Sequence, residues 1–318
     1  IDNGERKILS NIVASQIETH RLYGGVVPEI ASRAHIEAIS NITYEALDTA
    51  GVQLSKIGCI AVTSHPGLIG ALLVGVNFAK SLAYANNIPL VSVNHVKAHV
   101  AAAYLEYQQL EPPFTALVVS GGHTSIYSVT DHTHFSEIGS TRDDAAGEAF
   151  DKIGRVIGMP YPGGAAMDKL AYEGKVGAVK LPSPSISGDT LDFSFSGLKT
   201  AALNYINGER QKGNEPDHAD LTASYTAVIV DAIVNKMGKA IDCTGTKTLV
   251  LAGGVAANSH IRNALDALCK RKNVEFCRPS LSLCSDNAAM VAMAGYFEYA
   301  AGNFSNTSLN ASALDGDI

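Results

Sequence analysis

Thr115-Ala116-Leu117-Val118-Val119-Ser120-Gly121-Gly122-His123-Thr124-Ser125 is the stretch on which the fold is read. It opens as a short apolar run of strand length, the kind buried on both faces of a sheet. It ends in two glycines and leaves through Ile126 to Val129 as the second arm of a hairpin. The signature recurs at Leu249-Val250-Leu251-Ala252-Gly253-Gly254, again an apolar strand closed by Gly-Gly. Backbone N–H groups with no Cβ beside them approach oxygens closely, so two such turns let a cleft grip one phosphate-bearing ligand from two sides. One Gly-Gly turn is commonly no more than a tight bend. A pair, each directly after a buried strand, also suits a ligand site at the carboxyl edge of an α/β sheet.

Outward from these stretches, strands alternate with helices, which argues an α/β fold. Pro28 to Ala50 carries Ile36, Ile39, Ala46 and Leu47 at near-helical spacing and stops before Gly51, a glycine C-cap. Ile57 to Thr63 reads as a strand, His65-Pro66-Gly67 as a break, Leu68 to Ala85 as a long buried helix and Pro89 to Val93 as the next strand. Asn94 caps a helix expected from His95 to about Gln109, closed by Glu111-Pro112-Pro113 at a lobe boundary. Further on, Thr141 to Gly158 reads as a helix and Pro160 to Gly164 as a rigid turn, while 182–217 reads as loops around a short helix over 198–206. Leu221 to Ile241, Ser259 to Cys269 and a segment from Ser285-Asp286 to near Gly302 are the remaining helices. The expected lobes are 1–114 with 287–318, and 115–286. Ile1-Asp2-Asn3-Gly4 reads as a hairpin tip whose second strand is Lys7 to Val13 and whose first is missing.

The 318 residues are 46% hydrophobic and 17% charged, ample apolar material for one large or two modest cores. A net charge of -7 weakens a reading as a stand-alone nucleic-acid binder, because the chain as a whole repels phosphate; such contact needs a local basic patch or a partner. Five cysteines without paired CxxC spacing fit reduced thiols, not a disulfide framework. With no membrane-length apolar run and no signal-peptide pattern, the expected compartment is the cytoplasm or an organelle matrix.

His95 and His99 stand at i and i+4 of a helix that begins right after a strand, so both imidazoles project from one face. That is metal-ligand spacing, although two helix-surface histidines read the same way. In HExxH zinc proteases a glutamate beside the first histidine is the general base. Val96 holds that place, so a metal here would hold or polarise a ligand and not activate water. Asp286, in Ser285-Asp286-Asn287 at a helix start, is the candidate third ligand; a first-turn acid favoured by the helix dipole is the alternative.

Asp143, Asp144, Glu148 and Asp151 cluster on one helix. A solvated acidic turn accounts for Asp143 and Asp144, whereas Asp151, amid Phe150, Ile153 and glycines, is the one expected to bind something. Asp168, after Tyr161-Pro162-Gly163-Gly164, is placed to reach ribose hydroxyls of the same ligand. Lys199, within Phe193-Ser194-Phe195-Ser196-Gly197-Leu198-Lys199-Thr200, pairs a base with aromatics, a combination suited to stacking and phosphate contact, and also to a soluble loop.

Together these motifs resemble the TsaD-type tRNA threonylcarbamoyl transferases, whose archaeal and eukaryotic relatives serve in the KEOPS complex. The likeness rests on Pro28-Glu29-Ile30-Ala31-Ser32-Arg33-Ala34-His35, Pro66-Gly67-Leu68, Asn94-His95-Val96-Lys97-Ala98-His99, Val119-Ser120-Gly121-Gly122-His123-Thr124, the run from Asp143 to Lys152, Tyr161-Pro162-Gly163-Gly164, Phe195-Ser196-Gly197-Leu198-Lys199 and Gly253-Gly254-Val255-Ala256-Ala257-Asn258. The resemblance implies a two-lobed actin/Hsp70/sugar-kinase-like (ASKHA) α/β fold. It also implies transfer of the threonylcarbamoyl group from threonylcarbamoyl-AMP to N6 of the adenosine 3′-adjacent to the anticodon in tRNA. By motif, His95, His99 and Asp286 would hold one divalent metal, Fe2+ foremost, with Zn2+ or Mg2+ as alternatives. Val118, Val119, Ser120, Gly121, Gly122, Asp151, Gly164, Asp168 and Asn258 would contact the adenylate. The implied bacterial partners are a paralogous inactive subunit and a small ATPase (TsaB- and TsaE-type). The family opens with a strand and turn reading roughly Ile-Glu-Ser-Ser-Cys-Asp-Glu-Thr, which this chain does not contain, so the expected fold lacks its first N-terminal strand. A metallopeptidase, disfavoured by Val96, and a nucleotide-binding scaffold of the same fold without transfer chemistry are the competing readings.

Overall fold

Phe114–Val119 is buried along its whole length and forms the middle strand of a five-stranded sheet, as a largely apolar run requires; its one polar side chain, Thr115, hydrogen-bonds with Thr244 Oγ1 at 3.0 Å. The computed structural model describes residues 1, 5–184, 186 and 188–314. In chain order the elements are α1 (Ile17–Arg21), α2 (Pro28–Ala50), β1 (Ile60–His65), α3 (Ile69–Asn86), β2 (Leu90–Asn94), α4 (His95–Ala101), β3 (Phe114–Val119), β4 (Thr124–Val129) and β5 (Phe135–Ser140). There follow α5 (Ala146–Val156), α6 (Gly163–Leu170), α7 (Ser196–Gln211), α8 (His218–Thr244), β6 (Thr248–Ala252), α9 (Ser259–Lys272), β7 (Glu275–Cys277), α10 (Leu281–Cys284) and α11 (Ala288–Ala300). Backbone contacts divide the chain into two units, one of Ile1–Glu111, Asp131–His134 and Pro279–Ile318, the other of Pro112–Thr130 and Phe135–Arg278.

The first unit is built on the parallel pair β1–β2, with Ile60 opposite Leu90 and His65 opposite Asn94. The period-2 alternation of a strand sorts its side chains to two faces. Ile60, Val62 and Leu90 pack with Ala79 and Ala83 of α3, whereas Ala61, Val91 and Val93 pack with Ala98, Leu283, Ala289 and Met290 of α4, α10 and α11. Gly295 permits the close approach of α11 to β1, because a Cβ there would stand 2.2 Å from the Cβ of Ala61. The α4–α11 layer is what brings the loop before α11 to the start of α4.

In the second unit the sheet order is β5-β4-β3-β6-β7; β6 and β7 run parallel to β3, β4 is antiparallel to β3, and β5 is antiparallel to β4. Helix α8 is capped by Asp217, whose carboxylate accepts from Asp220 N–H, and stops at left-handed Gly245. Its buried face includes Leu221, Tyr225, Ile229, Ile233 and Met237, each fully buried aliphatic side chain contributing about 1.5 to 3 kcal/mol.

The α2 boundaries, with Pro28 in the first turn and left-handed Gly51 after the end, match the sequence reading, as does β6. Elsewhere boundaries move. The helix after Asn94 ends at Ala101 and tightens into a 3₁₀ turn over Ala102–Leu105 instead of reaching Gln109. The helix read from Thr141 starts at Ala146, because Thr141 and Asp144 spend their polar groups on a turn: Thr141 Oγ1 donates to the Asp144 carbonyl. The short helix over 198–206 is α7, sixteen residues long, and α6 and β5 were not anticipated. Lys7 to Val13 is not a strand: only Lys7 takes part in an isolated β-bridge and the rest is irregular; the hairpin tip proposed for residues 1–4 involves Asp2, Asn3 and Gly4, which lie outside the described residues. The five cysteines are free thiols. No helix among the described residues is long and apolar enough to cross a membrane.

Candidate metal centre and nucleotide loops

Asn94 ends β2 and caps α4, its side-chain oxygen accepting from Val96 N–H at 2.8 Å and Lys97 N–H at 3.0 Å. That cap fixes where the helix begins, and therefore where His95 and His99 point. Their rings lie edge to face with centroids 4.8 Å apart. Asp286 faces both from the first unit, its Oδ1 3.5 Å from His95 Nε2 and 3.3 Å from His99 Nε2. It does not stand in the first turn of α11. That helix starts at Ala288 and is capped by Asn287, so Asp286 lies just before the cap and a helix-dipole role does not describe it.

The donor set fits a cation. Ligand atoms at the roughly 2.0 to 2.2 Å usual for nitrogen and oxygen donors stand about 3.3 to 3.6 Å apart in a tetrahedron, and the three donor atoms here all lie within 4.8 Å of one another. His99 is buried, and neither ring nitrogen has a hydrogen-bond partner. Its 3.3 Å approach to Asp286 therefore lacks hydrogen-bond alignment. A buried imidazole left so is costly unless something accepts its lone pair, which a metal does. Asp286 is largely exposed, so the cluster opens to solvent on the carboxylate side. Val96 is buried, and no carboxylate stands in its place to act as a base.

The second unit collects the nucleotide-loop residues. Strands β3 and β6 are neighbours with Val118 opposite Ala252, so their Gly-Gly turns leave the same edge of one sheet. Two glycines let these turns touch. A Cβ on Gly253, whose φ is +95, would meet Val119 O at 2.4 Å. One on Gly147, in the first turn of α5, would meet Ser120 O at 2.4 Å, Gly121 Cα at 2.8 Å and Val255 Cγ2 at 2.8 Å. Buried Thr124 supports the same corner, its Oγ1 accepting from Ala146 N–H at 2.9 Å. Neither Gly147 nor Thr124 was anticipated as a site residue. Both lie in stretches that carry the family resemblance; the residue-level signal was glycine at the start of an otherwise good helix.

Asp151 and Asp168 are each anchored to a helix start. Asp151 Oδ1 accepts from Gly164 N–H at 3.1 Å; burial pushes its carboxyl above the usual range, against the lowering effect of the Gly164 and Gly163 N–H groups. Asp168 Oδ1 accepts from Ser259 N–H at 2.9 Å and Ser259 Oγ at 3.1 Å, beside Asn258, which caps α9 through Ile261 N–H. The acidic turn before α5 is not simply solvated. Asp143 accepts from Ser194 Oγ, Phe195 N–H, Ser196 N–H and Ser196 Oγ at 2.5, 2.8, 3.2 and 2.6 Å, holding the start of α7. Burial raises its carboxyl, but these bonds outweigh that and keep it below the usual carboxylate range. Asp144 pairs with Lys199 and Lys152, and Lys152 also reaches Glu148, which neutralises the like-charge pair.

As a class, this is an α/β chain with paired glycine turns on one sheet edge and, at a helix start, a dihistidine-carboxylate cluster that could hold a metal ion. Its fold is the actin/Hsp70/sugar-kinase type. HypF of T. kodakarensis shares it at TM-score 0.64 and 16% identity, over 87% of this chain and 45% of that one. A full-length HypF in a phosphate- and nucleotide-bound form shares it at TM-score 0.60 and 15% identity, over 86% and 42%. These likenesses concern fold alone. The TsaD family profile, described as tRNA N6-adenosine threonylcarbamoyltransferase, matches residues 7–293. The protein of that name from Clostridium botulinum is 51% identical over 306 residues, 96% of this chain and 90% of its own length, and that from Clostridium perfringens is 50% identical over the same span. The chain belongs to the TsaD family.

Proposed function

We propose that this protein transfers the threonylcarbamoyl group of threonylcarbamoyl-AMP to N6 of the adenosine 3′-adjacent to the anticodon in tRNA. The observation that carries the proposal is the His95, His99 and Asp286 cluster in a member of this family. The donor is a mixed anhydride whose adenylate leaves readily, and the acceptor is a poorly nucleophilic exocyclic amine. Positioning and charge stabilisation are therefore the main needs. Backbone N–H groups of Gly121 and Gly122 cradle the adenylate phosphate; Ser120 N–H donates to the His123 carbonyl at 2.8 Å and closes the turn, with Val118 and Val119 setting the loop. Asn258 and Gly164 line the nucleoside, and Asp151 and Asp168, each with one oxygen spent on a helix start, offer the other to ribose hydroxyls. His95, His99 and Asp286 hold one divalent metal, Fe2+ in preference to Zn2+ or Mg2+, which when bound supplies Lewis acidity to the donor's carbonyl.

Because the chain is acidic, tRNA is delivered with help from a paralogous inactive subunit and a small ATPase, in the cytoplasm. The test is a transfer assay with synthetic donor, unmodified tRNA and the accessory proteins, read by mass spectrometry of the digested nucleosides. Formation of threonylcarbamoyladenosine that is lost in His95→Ala supports the reading. Full transfer by that variant would refute the metal role, and no transfer by the wild type would refute the function.

A further inference from the structure

Tyr172 and His260 form a stacked pair beside the adenylate residues just described, their ring centroids 4.1 Å apart and interplanar angle 26°. The pair is held firmly. Tyr172 Oη and Ser259 Oγ hydrogen-bond at 2.8 Å, and His260 Nε2 lies 3.2 Å from the backbone oxygen of Asp168. Ser259 and Asp168 are themselves bonded to each other, so four side chains at the start of α9 lock together. Yet Tyr172 is 61% exposed. An aromatic ring with one face covered by an imidazole, its hydroxyl tied down and the rest in solvent loses little freedom when a planar group lies on it. Such a ring is a ready stacking platform for a nucleobase. Lys169 and Lys175, both exposed, are three residues to either side in the chain and supply positive charge for a phosphodiester strand.

Resting on the transfer reading above, we infer that the Tyr172–His260 pair stacks an unpaired nucleobase of the tRNA substrate and thereby seats the anticodon loop at the adenylate site. The role is one of positioning. It predicts a change in KM for tRNA and not in KM for the donor, and it depends on ring area, not on the hydroxyl.

The chain contains no tryptophan, so Tyr172→Trp introduces a single indole at the platform. In the assembly with its accessory proteins, with the wild-type assembly as the blank, an anticodon stem-loop RNA is expected to quench this indole saturably. AMP alone is expected to leave it unchanged, and Tyr44→Trp, at an exposed site on α2, is expected not to respond to the RNA. In turnover assays Tyr172→Ala raises KM for tRNA about tenfold with kcat and the donor KM retained, and Tyr172→Phe restores it. Quenching by AMP but not by RNA would assign the platform to the donor's adenine and overturn the inference. An unchanged tRNA KM in Tyr172→Ala, or a Tyr172→Phe as impaired as the alanine variant, would also overturn it. None of these outcomes touches the transfer reading, which stands or falls on the wild-type assay.

Discussion

Replacing Gly147 with alanine tests whether the contact between α5 and the two glycine turns sets the nucleotide site. The new Cβ would stand 2.4 Å from Ser120 O and 2.8 Å from Gly121 Cα, both backbone, and 2.8 Å from Val255 Cγ2. Ordinary contact for such pairs is about 3.5 Å, so the overlap is near an ångström and no rotamer change relieves the backbone part. Overpacking of this kind costs about 1 to 3 kcal/mol, and the backbone origin argues for the upper half of that range. Alanine regains about 1 kcal/mol through lower backbone entropy and better helix propensity. The expected net loss is about 1 to 2 kcal/mol, a fall of roughly 0.5 to 1 M in the urea midpoint at a slope of about 2 kcal/mol/M. The functional loss should be larger, because a turn displaced by about 1 Å costs on the order of a hundredfold in rate. Gly208→Ala in α7 is the matched control. No atom lies within 4 Å of its Cβ, so it should stabilise the protein by about 0.5 to 1 kcal/mol. A Gly147→Ala protein that is as stable as wild type, with donor kcat/KM intact, would refute the close-packing argument.

Metal content should follow the cluster: wild-type protein reconstituted with Fe2+ or Zn2+ and desalted should retain metal near one per chain, and His99→Ala and Asp286→Ala should retain at least tenfold less by elemental analysis. Chelation of the wild type should abolish transfer while leaving the far-ultraviolet circular dichroism unchanged, since α4 is capped by Asn94 independently of the ion. Asp143→Ala removes the carboxylate at the start of α7 and should cost about 1 to 2 kcal/mol in urea melts, as loss of a helix cap does; no change would show that Ser194 and Ser196 cap the helix unaided. Asp192 is buried, which raises its carboxyl, but Ser140 N–H at 3.0 Å and the Arg142 guanidinium at 2.7 Å prevail and hold it low. For a depressed carboxylate, stability is present above the ordinary pKa near 4 and is lost as pH falls through the lower folded value. Wild-type urea midpoints should therefore decline from about pH 4 downward, and Asp192→Asn should be less stable at pH 7 with a shallower acid decline.

Much of the candidate site was legible before any coordinates. The i, i+4 spacing of His95 and His99 follows from helix geometry, and Asn94 marked the cap that aims them. Two apolar strands ending in Gly-Gly marked the pair of turns that leave one edge of the sheet. The like-charge pair Asp144 and Glu148 was legible too, but its meaning was not, because the neutralising Lys199 arrives from α7. Asp143 read as solvated for the same reason: Ser194 and Ser196 lie some fifty positions away and only the fold brings them to it. Helix α6 was missed because Pro160 to Gly164 is turn chemistry, and the Asp151 carboxylate is what stabilises the Gly163-Gly164 start.

By itself, then, the sequence determined features that depend on neighbours a few positions apart: the periodicity of α2 and α8, the buried strands β3 and β6, the Asn94 and Gly51 caps and the histidine pair. Tertiary structure alone decided which distant groups met. Asp286 reaches His95 and His99 because α11 packs on α4, and the glycine turns touch because Gly147 and Gly253 lack side chains where backbone needs the space. Local propensity acts through one or two helical turns or a strand's pleat, whereas a site's geometry is set by which surfaces exclude water together, and that is a property of the whole packed unit.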